Sequence, residues 1–472
     1  MRVLFADTLL GNLNFQPLGV LSLAAVCRAA GHEVRLADLT DPRRVERTMR
    51  EFMPEVVGFP VVTGQHQRVL RLTRRLKSRF DFHAVFGGPH ATFFPQLALR
   101  PEVDAVCRGE GERSLVEHLR RYEQNDEPQT TPGFAFGDGD RLRTNPPATL
   151  IENLDELPFA ALESLDDHPL ARRFPVQPFM AARGCPYHCS FCYNDRQHEM
   201  YRAQGRWVRR FSPERFVAEI LAYKRRAPLS FVYIFDDTFA TDRAWLEAFA
   251  VAYKREIGLP FFVNFLAGLV TRERIALLKD AGLAYVGVGL EVGDERRRRE
   301  VLCKNVTDAQ LRHAAAVLHA AHVPFEFYSM LALPGATFAD DLQTLALNVE
   351  LQPTVPDVMI FQPYPGTALG DEAMRLNLFT GDPDDLPSSF KDRSVLAIPD
   401  RRRVRRLYQL FRVLVTLRAS KRTADRLSRL PLYPLYWLIG RFFEGLVKSR
   451  GIYRIRVSAR DFLTLTWRYL RG

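Results

Sequence analysis

The sequence predicts an α/β protein with three parts: an N-terminal doubly wound (Rossmann-like) domain, a partial (β/α)6 TIM-type barrel, and a basic α-helical C-terminal tail. Over the first ~125 residues, five short apolar runs alternate with helix-period stretches, the pattern of a parallel sheet covered on both faces. From residue 178 the alternation restarts at a longer repeat with six strand-like runs, two short of a closed barrel. Charge marks the third part. Residues 401–472 hold 19 Lys/Arg and three Asp/Glu, a balance of +16 that leaves −5 for the rest of a chain whose net charge is +11. At 472 residues the chain exceeds one core, and the parts are expected at 1–125, 126–175, 176–390 and 391–472.

The first domain opens with "RVLFAD" (2–7) and a helix over 18–32, where Leu18, Leu21, Ala25 and Ala29 share a face and Gly31 is the stop. Strands at 33–38, 56–63, 83–92 and 103–112 then alternate with helices near 42–51, 66–80 and 113–123. The unusual residues fall past strand ends: Thr63, then Gly87, Gly88, Pro89 and His90, then Gly109, Glu110 and Gly111. Open α/β sheets bind ligands along that edge, where glycine lets a bulky ligand approach the backbone. Each glycine taken singly is equally a tight left-handed turn. Residues 126–175 read as a linker with one hairpin, turning at Gly137-Asp138-Gly139.

The barrel strands are expected at 178–185, 231–239, 261–268, 285–293, 325–335 and 357–366. Their ends carry Cys185, Asp236-Asp237, Asn264, Glu291, Pro334-Gly335 and Gln362, and in parallel β/α folds chemistry gathers there. Gln362 is the candidate on the substrate side. In the tail, Val404, Leu407, Phe411, Leu414 and Leu417 lie on one helical stripe. That stripe closes the barrel with its arginines solvated, or else the tail meets an anionic membrane surface, an acidic substrate or RNA. No run reaches the roughly 18 apolar residues of a membrane span, and the start lacks a signal-peptide pattern. A cytoplasmic protein is expected, peripheral at a membrane if residues 401–472 touch one, with no nucleic-acid partner for its acidic body.

Three of the six cysteines, Cys185, Cys189 and Cys192, crowd into "RGCPYHCSFCYN" (183–194). In a reducing compartment disulfides at this spacing are disfavoured. A structural zinc wants four Cys/His ligands, which His188 or His198 would have to complete. Three thiolates from one loop also suit a 4Fe-4S cluster whose fourth iron has no protein ligand and can take a small molecule. Cys27, Cys107 and Cys303 read as small hydrophobes.

"CPYHCSFC" resembles the cluster-binding loop of the radical S-adenosylmethionine (SAM) superfamily. Together with "GGPHAT", "RGEGE", "DELPF", "DDTF" and "GLEVG", roughly residues 1–390 resemble cobalamin (B12)-binding-domain radical SAM enzymes. The resemblance implies three cofactors: a 4Fe-4S cluster on Cys185, Cys189 and Cys192, SAM, and cobalamin. For SAM it implies Glu291 hydrogen-bonding the ribose or amino group, Asp237 nearby and Tyr193 packed on the adenine. Adjacent Asp236 and Asp237 face opposite ways, so one points inward and the other caps the next helix. For cobalamin it implies Thr63, Gly87, Gly88, Pro89, His90, Gly109, Glu110 and Gly111. One departure is that the axial-histidine motif Asp-x-His-x2-Gly of B12 mutases is absent, the chain reading "ADTLLGNLNFQP" instead.

The implied reaction is methyl transfer: SAM cleaved to a 5′-deoxyadenosyl radical, and methyl passed from methylcobalamin to an unactivated carbon of a small-molecule or lipid-like substrate. An electron donor of flavodoxin or ferredoxin type is implied with it, and no residue is assigned as catalytic. The alternative is an oxidoreductase or cyclase, on a tetrapyrrole or lipid-like substrate, without methyl transfer. From another class, a non-catalytic zinc scaffold remains open.

Overall fold

Val3, Leu4, Phe5 and Ala6 are all at most 2% exposed, so the first strand is buried on both faces, as a strand inside a parallel sheet must be. The computed structural model describes residues 1–8, 17–168, 174–239, 241–382, 386–387 and 393–451. Residues 9–16, where the axial-histidine motif is missing, and the tail beyond 451 lie outside them. Contacts divide the described residues into two compact units, 1–178 with 197–229, and 179–196 with 230–451.

In the first unit, β1 (Arg2–Asp7), β2 (Glu33–Asp38), β3 (Val56–Pro60), β4 (His83–Gly87) and β5 (Ala105–Cys107) stand in the order β2-β1-β3-β4-β5. That is a doubly wound order, with its switch point between β1 and β3. Pleating sends Val3 and Phe5 into one core and Leu4 and Ala6 into the other. The hairpin of the expected linker, β6 (Phe134–Asp138) and β7 (Arg141–Thr144), extends this sheet: β6 runs antiparallel on β5. Phe134 and Ala135 are fully buried there, which is why the hairpin belongs to the domain and not to a linker. The segment 197–229, expected in the barrel, groups with this unit as well.

The second sheet contains β8 (Val176–Phe179), β9 (Phe231–Ile234), β10 (Phe261–Phe265), β11 (Leu283–Glu291), β12 (Phe325–Leu331) and β13 (Val355–Ile360) in sequential order. β9 to β13 pair in parallel, giving the six β/α units expected of a partial barrel. The helix Arg401–Thr416 packs Val404, Leu407, Phe411 and Leu414 against Leu331, Val358 and Ile360, so the stripe closes the barrel. Leu417, past the helix end, is 70% exposed and is not part of it.

At the end of β12 the backbone turns left-handed at Ala332, whose N–H bonds Asp341 Oδ1 at 3.0 Å. Burial, with Asp340 and Asp400 adding to it, raises the Asp341 carboxyl from 3.8 to about 7. A folded-state pKa above the unfolded one stabilises below the unfolded value and loses that contribution as pH rises through 7. The urea midpoint of this unit should therefore fall between about pH 4 and 7 and level off above that, and Asp341→Asn should flatten the dependence. An unchanged slope in the variant places the titration elsewhere.

Candidate functional site

β8 ends at Phe179, six residues before Cys185, so the cysteine loop does not begin directly on the strand as expected. What aims it is Asp236, 3% exposed, whose Oδ1 accepts from Ala181 N at 2.7 Å and Ala182 N at 3.2 Å. Asp236 is a clamp for the entry of the loop, and the following helix is capped by Asp242 instead, at 3.1 Å from Trp245 N. Asp237, the other member of the pair, has its pKa raised by burial against an opposing hydrogen bond from Asn194.

Further along, Ser190 is held on three sides. Its N–H bonds Leu302 O at 3.1 Å, its hydroxyl bonds Val301 O at 2.7 Å, and its carbonyl accepts from Leu369 N at 2.9 Å. The loop closes with Cys192 N on Cys189 O at 3.0 Å, and the helix Tyr193–Met200 starts immediately after. All three cysteines are free and half-buried. Burial raises the Cys185 thiol, and pushes Cys189 to about 12 and Cys192 to about 11. Metal ligation takes thiolates, so loading the loop releases protons.

Lys304 opposes that cost, since its charge draws Cys189 down. Burial works against the Lys304 ammonium, yet Glu291, with Cys189 and Cys185, holds its pKa above the ordinary value. Its Nζ lies 2.6 Å from Glu291 Oε1. Glu291 sits at the end of β11 with φ +65°, beside a shift in the β11–β12 register. A left-handed glutamate needs support, and fully buried Arg298 supplies it from Leu290 O (3.1 Å) and Val292 O (2.7 Å) on either side. At Gly289 a Cβ would collide with Lys304 Nζ and Glu291 Oε1, so only glycine leaves room for the pair. Neither Lys304 nor Arg298 was visible in the sequence pattern, because nothing in their spacing sets them apart from the surrounding surface cations.

Deeper in the barrel, Tyr328 Oη lies 2.5 Å from Glu326 Oε1 and 3.1 Å from Asn264 Oδ1, and Asn264 Nδ2 bonds Asp236 O at 3.2 Å. Tyr193 Oη reaches Pro365 O at 3.5 Å with its ring 5.9 Å from Tyr364. Gln362 is buried, bonding Arg393 O through Nε2 at 3.0 Å and leaving Oε1 without a partner. His188 pairs with Asp195 at 2.7 Å and His198 stacks on Trp207. Among the described residues no three His, Cys, Asp or Glu side chains converge on one ion. A four-iron cluster asks for no such convergence, since each thiolate takes a different iron. Three thiols on one braced loop, with a buried ammonium to offset the cluster's negative charge, fit that group.

The first unit carries the other candidate residues. The strand expected over 83–92 ends at Gly87, and His90 lies past that end, as expected, in a short helix, Gly88–Phe93. Its Nδ1 lies 3.0 Å from Thr63 Oγ1, and its ring stacks on His66 at 3.8 Å. Burial, then the neighbouring His66, lowers its pKa to about 3, so the imidazole is neutral, and its buried Nε2 has no partner. Gly88 (φ +87°) and Gly109 (φ +73°) are required by their turns and by neighbours, Val61 O at 3.0 Å and Tyr201 respectively. Gly87 is different. Its backbone is extended and a Cβ would meet nothing nearer than Cys107 O at 3.7 Å. Pro89 is exposed beside it.

Glu110 precedes the helix Gly111–Gln124 without capping it through its side chain, donates its N–H to Tyr201 Oη at 2.7 Å, and pairs through Oε2 with Arg209 at 3.1 Å. Arg209 also bonds Ile151 O at 2.9 Å and is 2% exposed, so Glu110 serves as the counter-ion of a buried arginine that sequence reasoning missed. A side-chain-free patch at Gly87 and an unpaired imidazole nitrogen on the same sheet edge fit a large planar ligand laid over the strand ends.

The B12 binding domain family matches residues 12–119, and the radical SAM superfamily matches residues 180–347. An uncharacterized methyltransferase of Pyrococcus horikoshii is 28% identical over 374 residues, 77% of this chain and 79% of its own. The anaerobic magnesium-protoporphyrin IX monomethyl ester cyclase of Cereibacter sphaeroides is 26% identical over 383 residues, and the match spans 76% of this chain but 60% of the cyclase. Among solved structures, the cobalamin-dependent SAM radical enzyme OxsB, with aqua-cobalamin and SAM bound, superposes at a TM-score of 0.70 and 15% identity, covering 100% of this chain and 75% of that one, a likeness of fold. Carrying both domains in succession on the α/β scaffold described above, the chain belongs to the B12-binding-domain radical SAM enzymes.

Proposed function

We propose that the protein is a cobalamin-dependent radical SAM methyltransferase acting on an unactivated carbon of a small-molecule or lipid-like substrate. The observation that carries the reading is the pairing on one chain of a braced three-thiol loop with a B12-binding sheet edge. Similarity to a methyltransferase over three quarters of the chain supports it. When bound, the cluster and SAM supply a radical that removes hydrogen, and cobalamin supplies a methyl carrier.

The chain's own residues hold these groups. Cys185, Cys189 and Cys192 take the iron, and Asp236 and Ser190 keep their loop in place. Glu291, turned by its left-handed backbone and held by Arg298, is a hydrogen-bond acceptor for SAM, with Asp237 and Tyr193 beside the loop. Lys304 pairs with Glu291 and offsets negative charge at the cysteines. On the other unit Thr63, Gly87, Gly88, Pro89, His90, Gly109, Glu110 and Gly111 line the cobalamin edge. Of these, Gly88, Gly109 and Glu110 act by shaping it. Gln362, tied to the Arg393 carbonyl, reaches substrate only if that bond opens. An electron donor of flavodoxin or ferredoxin type, and a membrane contact through the C-terminal region, complete the reading.

Similarity to the cyclase favours a second reading, oxidation or ring closure without methyl transfer. Products separate the two. With reconstituted enzyme, trideuteromethyl-SAM and a cell extract as substrate source, methyl transfer yields S-adenosylhomocysteine and 5′-deoxyadenosine in equal amounts, plus a product heavier by the labelled methyl. Deoxyadenosine alone, with no label transferred, sinks the methyltransferase reading and promotes the cyclase.

A further inference from the structure

The helix Arg401–Thr416 begins in a cleft of about 890 Å³ lined by seven arginines, Arg401, Arg402, Arg405 and Arg429 among them, against one carboxylate, Asp400. A concave surface of one sign concentrates field and attracts anions. Arg403 and Arg429 are spoken for, pairing with Asp400 and Asp425, each at 3.0 Å, but Arg401 and Arg402 are exposed and have no ion pair among the described residues. The cleft adjoins an apolar surface. Arg405 stacks over Tyr433 at 3.9 Å, in the first turn of the helix Tyr433–Gly451, and Leu430 and Leu432 follow Arg429 at 43% and 42% exposure.

Along that helix Tyr436 and Gly440 face the core, Tyr436 bonding Leu427 O at 3.1 Å and Gly440 crowding Gln409. Leu435, Leu438 and Phe442, at i, i+3 and i+7, occupy another face at 50%, 60% and 70% exposure. Left in water these three contribute little to folding, while burying them between acyl chains gains the hydrophobic free energy the fold leaves unused. Arginines that find no partner in the fold complement lipid phosphates. No described helix is long and apolar enough to cross a membrane.

We infer that the arginine cleft and the Leu435/Leu438/Phe442 ridge form one docking surface for an anionic lipid bilayer, headgroup phosphates entering the cleft and the ridge entering the acyl boundary. A charge patch alone holds a protein weakly at a membrane, and an apolar ridge alone does the same. The two together give stable attachment. The surface uses no residue of the cysteine loop or of the sheet edge, so its test needs no loaded cofactor.

The test is co-sedimentation of the full chain, purified anaerobically, with vesicles of phosphatidylcholine alone or with about 30% phosphatidylglycerol, at low and high salt. Binding about tenfold or more tighter to the anionic vesicles, weakened by salt, is expected. Arg401→Glu with Arg402→Glu should remove the anionic preference, and Leu438→Asp with Phe442→Asp should abolish binding. All four positions are exposed, so the fold is retained, and SAM cleavage by these variants in the absence of vesicles should be unchanged. Equal binding to both vesicle types overturns the proposal. So does loss in the arginine variant alone with displacement by inorganic pyrophosphate, which assigns the cleft to a soluble polyanion. A dimer that Phe442→Asp makes monomeric, with no vesicle binding, assigns the ridge to a second copy of the chain.

Discussion

Anaerobically reconstituted Cys192→Ala is expected to retain less than about one iron per chain and to lose the broad visible absorption of the cluster. 5′-Deoxyadenosine formation should fall by about a thousandfold or more, which is on the order of 4 kcal/mol of transition-state stabilisation. The loss is large because three thiols are the entire protein ligand set the loop offers, and the helix Tyr193–Met200 that follows contains no cysteine. Cys303→Ser is the control. Although the sequence suggests a small buried hydrophobe at that position, Cys303 is exposed, at φ +51°. It should retain full iron and full SAM cleavage. If Cys192→Ala keeps its iron while Cys303→Ser loses it, the ligand assignment is wrong.

Gly87→Val should uncouple the two halves of the chemistry. The extended backbone at Gly87 accepts a β-branched residue and the nearest atom to a new Cβ is 3.7 Å away, so the melting temperature should move by less than about 4 °C. Cobalamin retained after gel filtration should nevertheless fall by about tenfold or more, because the valine methyls stand where the ligand meets the backbone. Iron content should be unchanged, and S-adenosylhomocysteine should disappear while deoxyadenosine persists. Full retention of cobalamin by a folded Gly87→Val protein removes this stretch from the cofactor edge. Gly109→Val is the wrong probe for the same question, since its side chain displaces Tyr201 and breaks the 2.7 Å bond to Glu110 N.

Much of the architecture was legible because its signals are local. The run Val3–Ala6 is apolar on both faces, and a strand covered by helices on both sides needs that pattern. The cysteine spacing is likewise local: three thiols within eight residues reach one cluster whatever surrounds them. Pairing partners are not local. "GFAFGDGDRLRTN" announces a hairpin, but nothing in it says that Phe134 will be buried beside β5 and add the hairpin to the first sheet. Nor does "FDDTF" show which carboxylate turns inward, since that depends on the Ala181 and Ala182 amides arriving from the entry of the cysteine loop.

By itself the sequence determined two α/β units, the cysteine loop and a C-terminal helix with an apolar stripe, all patterns written in neighbouring residues. Tertiary structure alone decided that Lys304 meets Glu291, that Arg298 holds Glu291 in a left-handed backbone, that Arg209 claims Glu110, and that His90 Nε2 is buried without a partner. Each of these joins residues from separate elements or removes a polar atom from water. The energy of a buried charge or an unpaired nitrogen is set by what surrounds it, and that is determined only when the chain folds.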